Sequence, residues 1–387
     1  MKIRGKILYL DHAASTPMRP RALQALETSM KEDFANPASA HQLGQDLERR
    51  IDTCREKFLE LLGGRKEDKL IFTGSATEAN NTIMRGIGLR TGDPVIFSFA
   101  DHPSVTVPME MLEKRGVRVI ELPLQTDGTP DKPALLQLLD KTVKLVILTH
   151  VNNQSGAITD ICQLSGEIKA TNPSAHIHVD GAQGFGKIPF SLKDGYVDSL
   201  CISSHKIGGP KGIAGLYLRE GVRLAPLLYG GGQEEGLRSS TLPAPLIFSF
   251  CEAADDAIYS FKFSLEHVTA LNQLAQESLK ERIDTVRFPF VKSGSPYILM
   301  IILPGIPSDI ILRHLEEEGI MVSSRAACSS RIKGTDSVFT ALHLPKDEHK
   351  FVLRVSFSHE TTRMDVLRFC DTLASICDNL KMYKKNQ

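Results

Sequence analysis

The 387-residue chain has no net charge, with 46 basic and 46 acidic side chains. Without a basic excess, the phosphate neutralisation that drives nucleic-acid binding has no source, so small molecules and proteins are the expected partners. Membrane-length apolar runs are also missing: the longest, residues 298–303, is stopped by Pro304. At the N-terminus, MKIRGKILYLDHAAS has only four apolar residues in a row before Asp11, too few for a signal-peptide core. None of the seven cysteines forms a C-x-x-C pair, and an odd, scattered set fits a reducing compartment better than a disulfide framework. A cytoplasmic protein is therefore expected. No G-x-G-x-x-G follows a strand and no phosphate-loop lysine motif occurs, so a nucleotide site has no support. Repeats, low-complexity tracts and heptads are absent too. His176 and His178 alternate along a strand without the company a zinc site needs, so no metal is expected.

What recurs is a short apolar run ending in a polar cluster. Residues 70–72 lead into TGSATEANN, 95–99 into ADHPS, 145–148 into THVNNQSG, 177–179 into DGAQG and 200–202 into SSHK. Amphipathic stretches such as 103–115 and 133–140 lie between them. This alternation predicts a mainly parallel α/β sheet. In such sheets the ligand crevice lies beyond the carboxyl ends of the strands, so the five clusters should converge. After about residue 257 the pattern changes to a long helix over 261–282, strands around 297–303 and 352–357, and a helix over 308–318. The expected division is a large α/β domain over 15–257 and a smaller α+β domain built from 1–14 and 258–387.

Several residues in these clusters have side chains suited to chemistry. Asp180 ends an apolar run, where a carboxylate needs a partner; it can cap a helix, pair with an arginine, or accept a protonated pyridine nitrogen. Lys206, followed by Gly208 and Gly209, can be a surface lysine or a Schiff-base lysine beside which a ligand approaches closely. As a pair, Asp180 and Lys206 suit the two ends of a pyridoxal ring. Ser75, Ala76 and Thr77 open a helix over 76–89, either as ordinary capping or as a phosphate site. His102 can stack on a flat ring and exchange protons, or simply be hydrogen-bonded. Asn153 and Gln183 are amides at strand ends, able to cap loops or to bond a phenolic oxygen. Residues 230–241, GGGQEEGLRSST, read as a flexible turn. Cys328 sits among Ser, Gly, Arg325, Arg331 and Lys333, where positive charge favours the thiolate. Arg354, on a strand, can clamp a carboxylate or make a surface ion pair.

Taken in order, YLDHAASTP, FANPASAH, FTGSATEANN, ADH, HVNNQSG, HVDGAQ, SSHKIGGPKG, GGGQEEGLRSSTLP, SSRAACSS and LRVSFS run nearly end to end. This set resembles the cysteine desulfurases, in the class V aminotransferase branch of the fold-type I pyridoxal-phosphate enzymes. The resemblance implies pyridoxal 5'-phosphate as cofactor and L-cysteine as substrate, with alanine released and a persulfide left on Cys328. It implies Lys206 as the cofactor lysine, Asp180 as partner of the ring nitrogen and His102 as the stacking acid/base. Asn153 and Gln183 would contact the substrate side and ring oxygen; Ala76, Thr77, Ser203 and His205 would hold the phosphate. Thr241 would reach the phosphate of a second subunit in a homodimer, and Arg354 would bind the cysteine carboxylate. A sulfur-acceptor protein, such as an iron–sulfur scaffold or a tRNA-thiolation protein, is the implied partner. Departures from the family pattern are Ser75 in place of a glycine, Arg325-Ala326-Ala327 before Cys328, and His12.

Overall fold

The computed structural model describes residues 6–324 and 335–385. Cys328, with Arg325 and Arg331, lies outside the described residues. In the first half of the chain, strand β1 (Leu8–Tyr9) leads to helices α1 (Pro20–Glu32) and α2 (Gln42–Leu62). There follow β2 (Lys69–Thr73), α3 (Ala76–Gly86), β3 (Pro94–Phe97), α4 (Pro103–Glu113), β4 (Arg118–Glu121), α5 (Lys132–Leu138), β5 (Leu145–Thr149) and α6 (Ile161–Thr171). Next come β6 (His176–Asp180), β7 (Ser199–Ser203), β8 (Ala214–Leu218), α7 (Ala244–Tyr259) and α8 (Phe261–Arg282).

Seven strands form one sheet in the order β2-β8-β7-β6-β5-β3-β4. Only β8 runs against its neighbours; the other contacts are parallel. Both faces of the sheet are covered, which is why its central strands read as unbroken apolar runs. Alternate residues feed two cores. Leu70, Phe72, Val146, Leu148, Leu200 and Ile202 pack with Phe58, Leu164, Ile247 and Phe250. Ile71, Val95, Phe97, Leu145, Ile147 and Cys201 pack with Ile83, Val105 and Met109. Burying a side chain of this size is worth about 1.5–3 kcal/mol.

The later part of the chain adds β9 (Ile298–Ile302), α9 (Ser308–Glu317), β10 (Ile320–Met321), α10 (Thr335–Ala341), β11 (Val352–Ser356) and α11 (Arg363–Lys385). Strand β11 pairs antiparallel with β9, and β1 pairs parallel with β10. Leu8, Leu10 and Ala13 belong to the same buried cluster as Val268, Leu299, Leu353 and Phe369, so the N-terminal segment packs with the C-terminal part. Asp11 then bridges to Ser356, and Ser323 to Arg354. Residues 11–16 therefore run along the junction between the two cores.

One expectation changes here. Residues 230–241 are not held only by glycine-rich turns. The carboxylate of Glu234 is fully buried, and it accepts bonds from Arg55 Nη1 (2.7 Å), Arg55 Nη2 (2.5 Å) and the Phe72 amide (2.9 Å). A charge inside an otherwise flexible-looking run pins the segment to the sheet.

Candidate active site

Strands β2, β3, β5, β6 and β7 end on the same edge of the sheet, and the polar clusters follow those ends. Asp180 closes β6, opposite Thr149 and Cys201. It is 6% exposed. Oδ1 accepts from the Ala182 amide (3.0 Å) and the Cys201 thiol (3.4 Å), while Oδ2 accepts from Asn80 Nδ2 (3.0 Å). Among the described residues it has no ion-pair partner, so a carboxylate is held dry and ready for a cation.

Lys206 follows β7 through a single 3-10 turn at Ser204–Lys206. Its Nζ donates to the carbonyls of Ala13 (2.5 Å) and Ala14 (2.9 Å). Gln183 Nε2 donates to the same Ala13 carbonyl (2.7 Å), which brings the β6 and β7 ends onto one point of the junction segment. His205 Nδ1 lies 3.3 Å from Ser15 Oγ on that segment too. Burial, reinforced by the charges of Lys206, Lys187 and Lys211, pushes the His205 imidazole down to about 4. Ser203 is buried beside it. The expectation that Gly208 and Gly209 make room for a ligand is corrected. A Cβ on Gly208 (φ +86°) would meet the Arg19 side chain at 2.6 Å, and one on Gly209 would meet Ser204 Oγ at 2.1 Å. Those glycines serve the chain's own packing.

Helix α3 begins at Ala76, and Ser75 Oγ caps it by accepting from the Glu78 amide (3.1 Å). The Ala76 and Thr77 amides keep no intrahelical partner, as first-turn donors must, and Thr77 is exposed. His102 caps α4, its Nδ1 accepting from the Ser104 amide (3.1 Å). Burial lowers its pKa, the Lys206 charge adds to this and Asp180 opposes it. Beside it, burial pushes the Asp101 carboxyl up to about 7, helped by the charge on Asp180. Arg354, 1% exposed, donates through Nη1 to the Asn153 carbonyl (2.9 Å) and through Nη2 to Asp11 (2.8 Å). The Asn153 side chain is half-buried in the turn after β5.

Gln183 and Lys206 are thus gathered on the Ala13 carbonyl and His205 on Ser15 of the same segment, Asp180 and Ser203 close the adjacent strands β6 and β7, His102 is tied to Asp180 through Ser104 and Asn80, and Arg354 to Asn153. Thr241 is not gathered with them. It lies on an open groove of about 380 Å³ lined by Asn36, Arg55, Gln233 and Glu234. Sequence reasoning missed Asn80, Ser104, Asp101, Lys187 and Asp11. Asn80 left one signal: it stands at the buried spacing of α3, three residues before Ile83, where an apolar side chain is expected.

The donor set fits pyridoxal phosphate. An unpaired buried carboxylate suits a protonated pyridine nitrogen, an amine suits an aldehyde, and free first-turn amides suit a phosphate. Among the described residues no group of three or more His, Cys, Asp or Glu could hold a metal ion, and no helix is long and apolar enough to cross a membrane.

Comparison with known proteins agrees with this reading. The family model described as "Aminotransferase class-V" matches residues 8–369. A cysteine desulfurase IscS of Dictyoglomus turgidum is 32% identical over 378 residues, covering 97% of this chain and 95% of that protein. A solved NifS-like protein superposes with a TM-score of 0.89 at 28% identity, over 96% of this chain and all of that one. A structure titled SspA in complex with cysteine superposes with a TM-score of 0.79 at 27% identity, over 92% of this chain and 99% of that one. The expected fold, a large mainly parallel sheet with a smaller α+β part, is that of these NifS-like fold-type I structures. The chain belongs to the class-V aminotransferase family, and within it to the pyridoxal-phosphate-dependent cysteine desulfurases.

Proposed function

We propose that the protein removes sulfur from free L-cysteine, with Cys328 as sulfur receiver, and passes the sulfur to an acceptor protein. The observation that carries this is a dry carboxylate, Asp180, and an amine, Lys206, standing at neighbouring strand ends. Pyridoxal phosphate, when bound, supplies an electron sink for the substrate α-carbon. Asp180 would hold its ring nitrogen charged, Lys206 its aldehyde carbon, and Gln183 and Asn153 its ring-oxygen side. The Ala76 and Thr77 amides, Ser203 and His205 would hold the phosphate, completed by Thr241 of a second subunit in a homodimer. His102 would lie against the ring.

Arg354 would bind the substrate carboxylate: its Nη1 and Nη2 are held by the Asn153 carbonyl and Asp11, and its Nε has no partner among the described residues. Lys206, once free, is the group that takes and returns the α-proton. The Cys328 thiolate attacks the substrate sulfur, the carbon–sulfur bond breaks, and a persulfide remains on Cys328 as alanine leaves. An iron–sulfur scaffold or tRNA-thiolation protein is the acceptor class, and the cytoplasm the place.

The test is Cys328→Ala in the cofactor-loaded protein. It should keep the yellow cofactor absorbance and lose alanine formation from cysteine. Alanine at the unmutated rate with a thiol present would remove Cys328 from the role, and mercaptopyruvate, the keto acid of cysteine, in place of alanine would make the enzyme an aminotransferase.

A further inference from the structure

Behind Asp180 lies a chain of hydrogen bonds whose direction is fixed at one end by the charge of Asp180 and at the other by the Ser104 amide. Asn80 is 0% exposed, His178 0% and Ser104 5%. An ionised Asp180 can only accept, so Asn80 must turn its amide nitrogen toward it. The second Nδ2 proton goes to Ser104 Oγ at 2.9 Å. Ser104 Oγ, already accepting from Asn80, has its own proton left for His102 Nδ1 at 2.8 Å. The Ser104 amide, which can only donate, meets the same Nδ1 at 3.1 Å. In the other direction, Asn80 Oδ1 accepts from His178 Nε2 at 2.9 Å. That leaves His178 Nδ1 to accept from Ser199 Oγ at 2.8 Å, and Ser199 to accept from His176 Nε2 at 2.7 Å.

Two donors therefore point at His102 Nδ1, which leaves no room for a proton there. The neutral ring must hold its proton on Nε2. That nitrogen has no partner among the described residues, and the ring is half-buried.

We propose that Asn80 and Ser104 are positioning residues that transmit the charge of Asp180 to His102 and lock it as a neutral Nε2–H donor. This rests on the reading above, in which His102 lies against the cofactor, and it changes the part His102 plays there. A neutral imidazole protonated at its free edge can donate a hydrogen bond, but it cannot accept a proton at that edge. Nor can it release one without becoming an imidazolate. Taking up a second proton at Nδ1 would set it against the Ser104 N–H, which cannot turn round. His102 thus polarises what it touches, as neutral active-site histidines do elsewhere, while Lys206 carries the protons. The lowered pKa of His102 agrees with this.

The test uses the full-length protein without cofactor, labelled with ¹⁵N-histidine, so that its outcome is independent of any turnover. Imidazole nitrogen shifts separate protonated from unprotonated nitrogens. At pH 7.5 His102 and His178 should each show one tautomer, with the proton on Nε2. Asn80→Asp removes both amide donors and draws the Ser104 hydroxyl away, so the His102 Nδ1 resonance should shift while the Ser104 amide keeps the proton on Nε2. Asn81→Asp, which adds the same charge at the neighbouring position, should leave His102 unchanged. Ser104→Ala, the fallback if Asn80→Asp does not fold, should keep the Nε2–H tautomer but shift Nδ1. An Nδ1–H tautomer or an even mixture in the unmutated protein would overturn the proposal, as would an unshifted Nδ1 in Ser104→Ala. Alanine formation, assayed separately, decides the desulfurase reading whichever tautomer is found.

Discussion

Removing the cation that faces Glu234 should damage the protein more than removing Glu234 itself. The Glu234 side chain is 0% exposed and that of Arg55 20%. Glu234 and Glu235 also sit at φ 53° and 55°, a left-handed region that costs a non-glycine residue roughly 1–2 kcal/mol. The pair with Arg55 anchors Glu234 there, and Lys69 pairs with Glu235. Arg55→Met keeps an aliphatic stem but loses the guanidinium that lies over Phe72, and leaves a buried carboxylate with a single amide donor, the Phe72 N–H. Breaking a buried pair this way costs about 3–5 kcal/mol. Glu234→Ala strands a guanidinium that still bonds the Leu70 carbonyl (2.8 Å) and Asp52 (3.3 Å) and can take up water. The expected cost is smaller, about 1.5–3 kcal/mol, the worth of its charged hydrogen bonds. In the double variant the stranded charge is gone, so the two losses should fall short of additive by about 2 kcal/mol. Urea unfolding of the four proteins, with midpoints converted by linear extrapolation, measures this. Additivity within about 0.5 kcal/mol, or a costlier Glu234→Ala, would refute the reasoning.

Two other perturbations have signs set by the structure. A Cβ on Gly184 would stand 2.0 Å from His150 Nδ1, so Gly184→Ala should destabilise the fold by about 1–3 kcal/mol. Adding His150→Ala should restore much of that loss in the same urea assay. The His150 imidazole is pushed down from 6.5 to about 4 by burial alone. Between those values the unfolded chain binds the proton and the folded one does not. The stability it contributes is therefore complete above pH 6.5 and is lost as the pH falls toward 4. At about 1.4 kcal/mol per unit, the stability gap between the protein and His150→Gln should change by about 3 kcal/mol between pH 7 and 4. A gap that stays constant across that range would show that the imidazole is not buried neutral.

Much of the fold was readable because its physics is local. Strands β2, β3, β5, β6 and β7 are buried on both faces, so each is an apolar run that stops where the chain meets the crevice. Strand β4, RVIE, is an edge strand with exposed ends, and β8, AGLYL, carries a glycine between GGPKGI and a turn. Neither is the unbroken apolar run ending in a polar cluster that marks the others. Helix α7, apolar on most sides because it packs between the sheet and α1, has no face to read.

The site divides in the same way. Asp180 and Lys206 stand at strand ends, where position alone gives them meaning. Asn80 and Ser104 do not. An asparagine or serine in a helix reads as a surface or capping residue, and their partners here lie 100 and 24 residues away. Arg354 was visible as a cation on a strand, but its bond to Asp11 spans 343 residues.

The central claim is that Lys206, just beyond the strand next to the one Asp180 closes, is the amine that holds the cofactor, and Lys187 makes the claim easy to lose. Burial and the charges of Lys206 and Arg19 bring the Lys187 ammonium down to about 7, so its amine is also nucleophilic at neutral pH. Borohydride reduction of the cofactor-loaded protein, followed by peptide mass mapping, decides between them. The label should sit on Lys206 in the unmutated protein and persist in Lys187→Met. A label on Lys187 or on any other lysine, with Lys206 unmodified, would contradict the account.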